Sequence, residues 1–251
     1  MSHTDTRAHE PPAPAGHVTI TAITHRGAVR DRNEDSVVLG PMMAACDMAT
    51  PAQCWVPADE PMVLAVADGL GGHAAGEIAS QHVARRLSEI GRQLSSAQAL
   101  SRALATIDGE LREHAVQHQE FDGMGSTVAG LLLTRDGVHT FNVGDSRTYR
   151  IEQGRLVQVT RDDAIEGGNT ALITQCVGGR TDGRLEPHVQ RVDGVAWLIC
   201  SDGLSDLVTT EEVEKILATS DSDAVAVSEL WRAAMAAGGR DNISIILARR
   251  E

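Results

Sequence analysis

The sequence predicts an α+β fold in which two antiparallel sheets pack face to face and a pair of helices covers each sheet. The predicted order along the chain is strands, two helices, strands, two helices and a last strand, and segregated runs of this kind favour α+β over alternating βαβ units. The dipeptides Asp136-Gly137 and Gln153-Gly154, typical of hairpin turns, separate the central strands. Only 2% of the residues are aromatic while 42% are hydrophobic, so the core is expected to be aliphatic.

Alternating or short aliphatic runs bounded by turn residues predict the strands. The first, residues 17–25, alternates through Val18, Ile20 and Ala22. The other predicted strands cover residues 37–39, 62–67, 127–134, 138–143, 148–152, 155–159, 185–192, 195–201 and 243–248. The segment 41–61 is rich in proline and has little periodicity, so it is predicted to be one long loop.

Apolar residues at helical spacing predict four helices. They cover residues 74–94, 97–119, 210–218 and 221–237. Residues 1–16 are rich in His, Pro, Ala and charged residues and are predicted to be disordered. Residues 17–251 are expected to form a single domain, because no internal repeat or linker divides them.

Composition excludes several classes of function. A formal net charge of −13 disfavours nucleic-acid partners, and the scarcity of aromatic residues argues against single-stranded nucleic acid in particular. None of the four cysteines forms a Cys-x-x-Cys pair, which argues against a zinc ribbon or a redox motif. The sequence shows no signal peptide and no apolar run of membrane-spanning length, so a cytoplasmic location without membrane contact is expected.

Two sites far apart in the chain carry Asp-Gly where an aliphatic strand ends in a turn, and such a strand-to-turn junction with polar residues is called a corner below. They are Asp68-Gly69, after Val66-Ala67, and Asp202-Gly203, after Leu198-Ile199-Cys200-Ser201. A carboxylate fixed at a strand end suits Mg²⁺ or Mn²⁺, which prefer oxygen ligands. The glycine permits a sharp turn and leaves its carbonyl open to a ligand. Each corner alone is better explained by an ordinary strand-to-turn junction, since Asp-Gly is a common turn dipeptide. Together they indicate strands that meet around one metal cluster.

Further polar corners follow the same pattern. Arg30 has a planar guanidinium group that can form two hydrogen bonds to phosphate oxygens. Glu34 and Asp35 could accept hydrogen bonds from water molecules bound to a metal ion. The remaining corners are Asp122-Gly123-Met124-Gly125-Ser126-Thr127, Gly144-Asp145-Ser146-Arg147 and Gly239-Arg240-Asp241-Asn242. Hairpin chemistry explains one or two such corners, whereas a multinuclear cation site requires several. His73 is either near the site at the start of a helix or an ordinary surface residue.

In their order along the chain, these motifs resemble the PP2C (PPM) family of metal-dependent protein serine/threonine phosphatases, and its compact bacterial members most closely. The resemblance covers residues 18 to 249. It implies a four-layer α-β-β-α sandwich with Mn²⁺ or Mg²⁺ between the sheets. It also implies hydrolysis of phosphoserine and phosphothreonine by a water that bridges two metal ions, which together clamp an in-line displacement.

The resemblance assigns roles residue by residue. It implies that Asp68 bridges two metals and that the Gly69 carbonyl ligates one of them. Asp202 and Asp241 complete the other, and Glu34 and Asp35 act through water. The further roles it implies are a third, weaker metal at Asp122 with Asp202, phosphoryl binding by Arg30, and hydrogen-bond support from Asp145 and Asn242. The general acid is either His73 or a metal-bound water, and Leu70 stands where animal members have a histidine.

One departure from the family pattern concerns the flap, a segment that is long and partly helical in typical bacterial members. Here only residues 161–171 lie between the strand ending near Thr160 and the segment 172–179. The shortened flap predicts an open cleft, broad substrate acceptance and weak binding of the third metal.

The expected partners are phosphoprotein substrates and a cognate bacterial Ser/Thr kinase, and the chain is expected to be a monomer. Two other functions are compatible with the sequence. A pseudophosphatase would bind phosphoproteins or a kinase without hydrolysis, although such proteins usually lose metal ligands and none is lost here. A metal-dependent phosphodiesterase or nuclease would also use a two-metal carboxylate site, but the negative charge argues against it.

Overall fold

The computed structural model describes residues 16–71, 74–167, 170–179 and 183–251. Its strands are β1 (His17–His25), β2 (Asp35–Leu39), β3 (Met42–Ala44), β4 (Ala52–Pro57), β5 (Met62–Leu70), β6 (Gly125–Ser126), β7 (Val128–Thr134), β8 (Gly137–Val143), β9 (Arg147–Glu152), β10 (Arg155–Gln158), β11 (Ala164–Gly167), β12 (Thr170–Ile173), β13 (Val177–Gly178), β14 (His188–Val192), β15 (Ala196–Cys200) and β16 (Ile243–Arg250). Its α-helices are α1 (Ala74–Ile90), α2 (Ala97–Gln117), α3 (Asp202–Ser205), α4 (Thr210–Thr219) and α5 (Asp223–Ala236). In the described ranges no helix combines the length and the apolar character needed to cross a membrane.

Two large antiparallel sheets form the centre of the molecule. The first has the strand order β10-β9-β15-β16-β1-β4. The second contains β13-β6-β5-β7-β8-β14, and β2 joins it by pairing with β5 and with β3. Each sheet gathers strands from both halves of the chain, so the corners that end β5, β15 and the loop before β16 can meet although they are distant in sequence.

Three apolar cores separate four layers, as the family resemblance implies. One core lies between α1, α2 and the second sheet, and includes Leu87, Leu104 and Phe141. The middle core joins the inner faces of both sheets around the fully buried Trp197. The third packs α4 and α5 against the first sheet. The core is therefore mainly aliphatic, as predicted, but Trp197 and Phe141 rank among its largest fully buried side chains.

The prediction that residues 41–61 form one long loop is wrong. Gly40 adopts a positive φ of 67°, which glycine accommodates readily, and the chain turns there into the short hairpin of β2 and β3. β4 then pairs with β1 at the edge of the first sheet. Only Val56 of β4 is buried, so the strand lacks the alternating apolar pattern by which a strand is recognised.

The other elements differ from prediction mainly at their ends. α1 ends at Ile90, four residues early, and the chain continues as a 3₁₀ turn from Gly91. α2 begins after Ser96, whose hydroxyl accepts a hydrogen bond from the Ala99 N–H at 3.2 Å and caps the helix. The prediction of disorder for residues 1–16 falls almost wholly outside the described residues. The shortened flap contains the two-stranded ribbon of β11 and β12, which was not predicted.

Candidate metal centre

The first pair of carboxylates comes from neighbouring strands of the second sheet. Asp35 begins β2, Asp68 lies near the end of β5, and the two residues are directly opposed in the antiparallel register. Residues in such positions have Cβ atoms about 4.5–5.5 Å apart. The Asp35 side chain is completely buried, and the Ser201 hydroxyl donates a hydrogen bond to its Oδ2 at 2.8 Å. The pairing register therefore fixes two carboxylates side by side.

The second pair comes from the first sheet. Asp202 follows β15, and Asp241 precedes β16, which pairs with β15. A Cβ atom on Gly203 would overlap the backbone carbonyl of Asn242, so only glycine permits the two chain segments to approach this closely. Gly27 has the same relation to the Asp241 carbonyl on the other side and has a positive φ of 80°. These close backbone contacts bring Asp202 and Asp241 to the edge where the two sheets meet.

The loop of residues 26–34, which carries Arg30 and Glu34, is held by the buried side chain of Asn242. The Asn242 amide donates to the carbonyls of Arg26 and Arg32, at 3.0 and 2.9 Å, and its oxygen accepts from the Glu34 N–H at 2.8 Å. Asn242 therefore supports the site by hydrogen bonds, as the family resemblance implied. In the same loop, Arg30 Nη2 lies 2.6 Å from Asp241 Oδ2.

We expect Asn242→Ala to lower the free energy of unfolding by about 1–3 kcal/mol, because three partly buried backbone groups lose their partner. Urea denaturation monitored by circular dichroism measures this change. The loop should also loosen, so the variant should bind Mn²⁺ at least about tenfold more weakly in calorimetric titration. A variant with unchanged stability and unchanged Mn²⁺ affinity would contradict this role.

Burial and mutual repulsion raise the pKa of three carboxyl groups of the site, those of Asp35, Asp68 and Asp202. The pKa of Asp202 is raised to about 7 by burial and then by the charges of Asp241 and Asp145. Burial, aided by repulsion from Asp241, raises the pKa of Asp35 to about 6. The pKa of Asp68 is raised well above its ordinary value by burial and by the charges of Asp35 and Asp202. The arrangement concentrates negative charge that protein groups only partly neutralise.

The donor set fits hard divalent cations. Asp35 Oδ1 and Asp202 Oδ1 are buried and accept no hydrogen bond, whereas buried acceptors are normally paired. Carboxylate and carbonyl oxygens are the ligands that Mg²⁺ and Mn²⁺ prefer. In the described part of the chain, no three acidic, imidazole or thiol side chains are arranged closely enough to hold a metal ion. The fit therefore rests on the unpaired oxygens and the raised pKa values.

Glu34 and Gly69 lie together at the first turn of α1. The Gly69 N–H donates to the Glu34 carbonyl at 3.2 Å. A Cβ atom on Gly76 would overlap the Glu34 carboxylate and lie 2.9 Å from the Gly69 carbonyl oxygen, so both groups pack against the glycine of the helix. The structure thus places these two predicted ligands next to the end of β5, beside Asp68.

Two predicted site residues are not placed in this group. Asp122 lies on an exposed turn next to Gly123, whose carbonyl is close to Gly71 at the end of the Asp68 corner. It is therefore beside the site, and its role as a third-metal ligand stays a prediction. His73 lies outside the described residues. Asp145 contributes to the raised pKa of both Asp68 and Asp202, which places its charge near them.

Sequence reasoning did not assign a role to Ser201 or to Thr127. Ser201 accepts from the Ser244 N–H at 3.0 Å while its hydroxyl donates to Asp35, and so links the two sheets. The Thr127 hydroxyl lies 3.3 Å from the Asp68 N–H. Both residues stand beside predicted corners, which was the signal available, but their contacts depend on strand pairings that the sequence does not reveal.

Buried and half-buried carboxylates at the meeting edge of two antiparallel sheets, with an arginine beside them, form a donor set of the kind that two-metal hydrolases use. The profile of protein phosphatase 2C matches residues 47–244, and the chain belongs to this family.

Named relatives agree with this assignment. The serine/threonine protein phosphatase PstP of Mycobacterium tuberculosis is 30% identical over 249 residues, which cover 90% of this chain and 44% of that protein. The chain thus spans less than half the length of this curated relative. Serine/threonine phosphatase stp of Listeria welshimeri is 28% identical over 255 residues, which cover 90% of this chain and 94% of the relative.

Solved structures show the same fold. The crystal structure of Mycobacterium tuberculosis PstP matches with a TM-score of 0.77 at 28% identity, covering 94% of this chain and 99% of that one. A structure of the PstP catalytic domain in complex with two manganese ions matches with a TM-score of 0.74 at 28% identity, covering 93% and 99%. The α+β sandwich predicted from the sequence is confirmed.

Proposed function

We propose that this chain is a metal-dependent protein phosphatase that hydrolyses phosphoserine and phosphothreonine in proteins. The observation that carries the proposal is the convergence of Asp35, Asp68, Asp202 and Asp241 from two sheets, with Arg30 beside Asp241 at 2.6 Å. Carboxylates crowded together attract divalent cations, and an adjacent arginine suits a phosphate ester. The relatives named as serine/threonine phosphatases support the same substrate class.

Two Mn²⁺ or Mg²⁺ ions are the cofactor that the donor set fits. Asp68, the Gly69 carbonyl, Asp202 and Asp241 would hold them directly, and Glu34 and Asp35 would act through water. Asp122 with Asp202 would hold a weaker third ion. Bound ions supply Lewis acidity, which activates water and neutralises phosphoryl charge. The manganese complex of the related PstP catalytic domain supports this assignment.

The protein's own groups orient the ester and stabilise the site. The Arg30 side chain is 53% exposed, so its planar guanidinium group is open to an entering phosphoryl group. It offsets the negative charge that grows on the phosphoryl oxygens during transfer. Ser201 and Asn242 hold Asp35 and the Arg30 loop in place through the hydrogen bonds described above. The proton for the leaving oxygen comes from His73 or from a bound water.

We expect Arg30→Ala to lower kcat/KM for p-nitrophenyl phosphate by about 10²-fold, because a charge-assisted contact to the transferred group is lost. Arg30→Lys should recover only part of this loss, since lysine lacks the bidentate fork. Arg32→Ala is the matched control: Arg32 lies in the same loop and its only ion pair in the described structure is a surface contact with Glu77 at 3.4 Å. Equal losses in Arg30→Ala and Arg32→Ala would contradict the role of Arg30.

The proposed activity is tested by assaying the purified chain on p-nitrophenyl phosphate with Mn²⁺, with Mg²⁺ and with excess EDTA. Phosphoserine, phosphothreonine and phosphotyrosine peptides then define the substrate class. We expect metal-dependent turnover of the first two peptides and little hydrolysis of phosphotyrosine. Absence of turnover with either metal would favour the pseudophosphatase, and preference for bis-p-nitrophenyl phosphate would favour the phosphodiesterase.

The biological setting is part of the same proposal. The chain would act in the cytoplasm as a monomer and reverse the action of a bacterial Ser/Thr kinase. Sedimentation of the purified chain tests the first part, since a stable dimer would contradict it. Incubation of candidate kinase-phosphorylated proteins with the chain, followed by mass spectrometry of the phosphosites, tests the second.

A further inference from the structure

Asp163 stands at the base of the β11–β12 ribbon, and its carboxylate accepts hydrogen bonds from three directions. Oδ2 accepts from the Gly144 N–H and from Gln175 Nε2, both at 3.0 Å. Oδ1 lies 2.8 Å from His188 Nε2 on β14. The Asp163 side chain is only 12% exposed. A largely buried carboxylate with this many partners holds surrounding segments together.

The Asp163 backbone ties both ends of the ribbon to the same place. Its N–H donates to the Gly144 carbonyl at 2.9 Å, and its carbonyl accepts from the Thr174 N–H at 2.8 Å. Asp163 directly precedes β11 and Thr174 directly follows β12. Within the described ranges, β11 and β12 pair only with each other. The anchor of the ribbon is therefore Asp163 and the turn that contains Gly144 and Asp145.

That turn has a second, independent support. The Ser146 and Thr127 hydroxyls lie 2.8 Å apart in the interior, and a Cβ atom on Gly144 would lie 2.7 Å from the Thr127 side chain. Strands β8 and β9, on either side of the turn, belong to the two large sheets. Loss of the Asp163 side chain should therefore loosen the ribbon much more than it displaces Asp145.

The ribbon presents apolar side chains to solvent. Ile165 and Leu172 are opposed in the β11–β12 register, so both side chains lie on one face. Ile165 is 59% exposed and Leu172 is 68% exposed. Neither side chain contributes to the apolar cores, so this face of the ribbon is open to solvent.

We propose that Asp163 is a positioning residue that holds the ribbon beside the site so that Ile165 and Leu172 contact the polypeptide flanking the phosphorylated residue. The inference rests on the proposed function and names how the same site receives its substrate. A small phosphate ester has no flanking polypeptide, so its hydrolysis is expected not to depend on such a contact. The consequence is a dependence on substrate size that an effect on folding alone would not produce.

The test compares kcat/KM for p-nitrophenyl phosphate and for a phosphothreonine peptide in the Mn²⁺-loaded protein. In Asp163→Ala we expect at least about a tenfold loss with the peptide, mainly through KM, and less than about a threefold loss with the small ester. Asp223→Ala is the matched control. Asp223, at the start of α5, is also largely buried, with a 17% exposed side chain, and its Oδ1 lies 2.8 Å from Arg249 Nε on β16. It should affect both substrates little and equally.

Two further variants separate the anchor from the contact surface. Asp163→Asn should restore most peptide activity, because the asparagine oxygen can accept from Gly144 and its amide can donate to unprotonated His188 Nε2. Leu172→Ser leaves the anchor intact and should lower peptide activity at least about threefold without affecting the small ester. A loss shared equally by both substrates in Asp163→Ala would overturn the proposal, and so would full peptide activity in Leu172→Ser.

Hydrogen exchange of the metal-free protein gives a readout that needs no activity. The amides of Asp163 and Thr174 should exchange at least about tenfold faster in Asp163→Ala than in the wild type, while β7 and β8 stay unchanged. Unchanged exchange would overturn the anchoring role even if the chain is an active phosphatase. Faster exchange in a chain without any turnover would instead count against the proposed function.

Discussion

Asp202→Ala should reduce kcat for p-nitrophenyl phosphate by at least about 10³-fold, equivalent to about 4 kcal/mol of transition-state stabilisation. Asp202 is the ligand that the proposal assigns to both the core ions and the third ion, so its removal disrupts the whole charge arrangement. The fold should persist, because the carboxylate is repelled by Asp241 and Asp145 and its loss relieves that repulsion. The metal-free variant should therefore unfold at the same temperature as the wild type or at a higher one.

Asp206→Ala is the matched control for this experiment. Asp206 lies four residues further on, is exposed, and adds only a smaller charge effect to the site. Its removal should change kcat by less than about threefold. If Asp202→Ala retained turnover comparable to Asp206→Ala, the carboxylate cluster would not be the catalytic centre.

The second large effect is a fall in the stability of the metal-free protein as pH rises. Asp35 and Asp202 have folded pKa values raised to about 6 and about 7, above the value of about 3.9 expected when unfolded. The folded state therefore binds more protons than the unfolded state between about pH 4 and pH 7. The stabilisation is present at low pH and is lost as the groups ionise, by an amount on the order of a few kcal/mol.

Thermal unfolding between pH 5 and pH 8 in EDTA measures this dependence. Ionisation of the site should lower the melting temperature of the metal-free protein as pH rises from 5 to 8. The dependence of melting temperature on pH should be weaker in Asp202→Asn, because this variant lacks one of the ionising groups. Mn²⁺ should raise the melting temperature most at the alkaline end, where all the carboxylates are charged. A wild type and an Asp202→Asn variant with superimposable profiles would show that Asp202 does not titrate in this range.

Much of the fold could be predicted because the inner strands carry continuous aliphatic runs. β5 and β15, whose cores are buried on both faces, stood out from their composition alone. β4 and the ribbon could not be recognised, because an edge strand such as Gln53–Trp55 alternates weakly and a free ribbon buries little. β4 is fixed by its pairing with β1, and the ribbon is fixed at its base by the hydrogen bond from the Asp163 N–H to the Gly144 carbonyl.

Those residues of the candidate site that belong to short Asp-Gly motifs at strand ends could be predicted from the sequence. Asp68-Gly69 and Asp202-Gly203 combine a carboxylate with the glycine that lets two backbones approach, and both features can be read from adjacent residues. Asp163 has no such signature, because its partners Gly144, Gln175 and His188 become neighbours only when β8, the ribbon and β14 are assembled. Tertiary pairing creates that network, so no local pattern indicates it.

The site draws one pair of acids from each sheet, Asp35 and Asp68 from one, and Asp202 and Asp241 from the other. Neither half of the sandwich can make a working centre by itself. If the chain acts as proposed, any partly assembled molecule, whether newly synthesised or opened between its layers, should be inert toward phosphoproteins. Hydrolysis should then begin only after β16, which follows Asp241 in the chain, has paired with the rest of the first sheet.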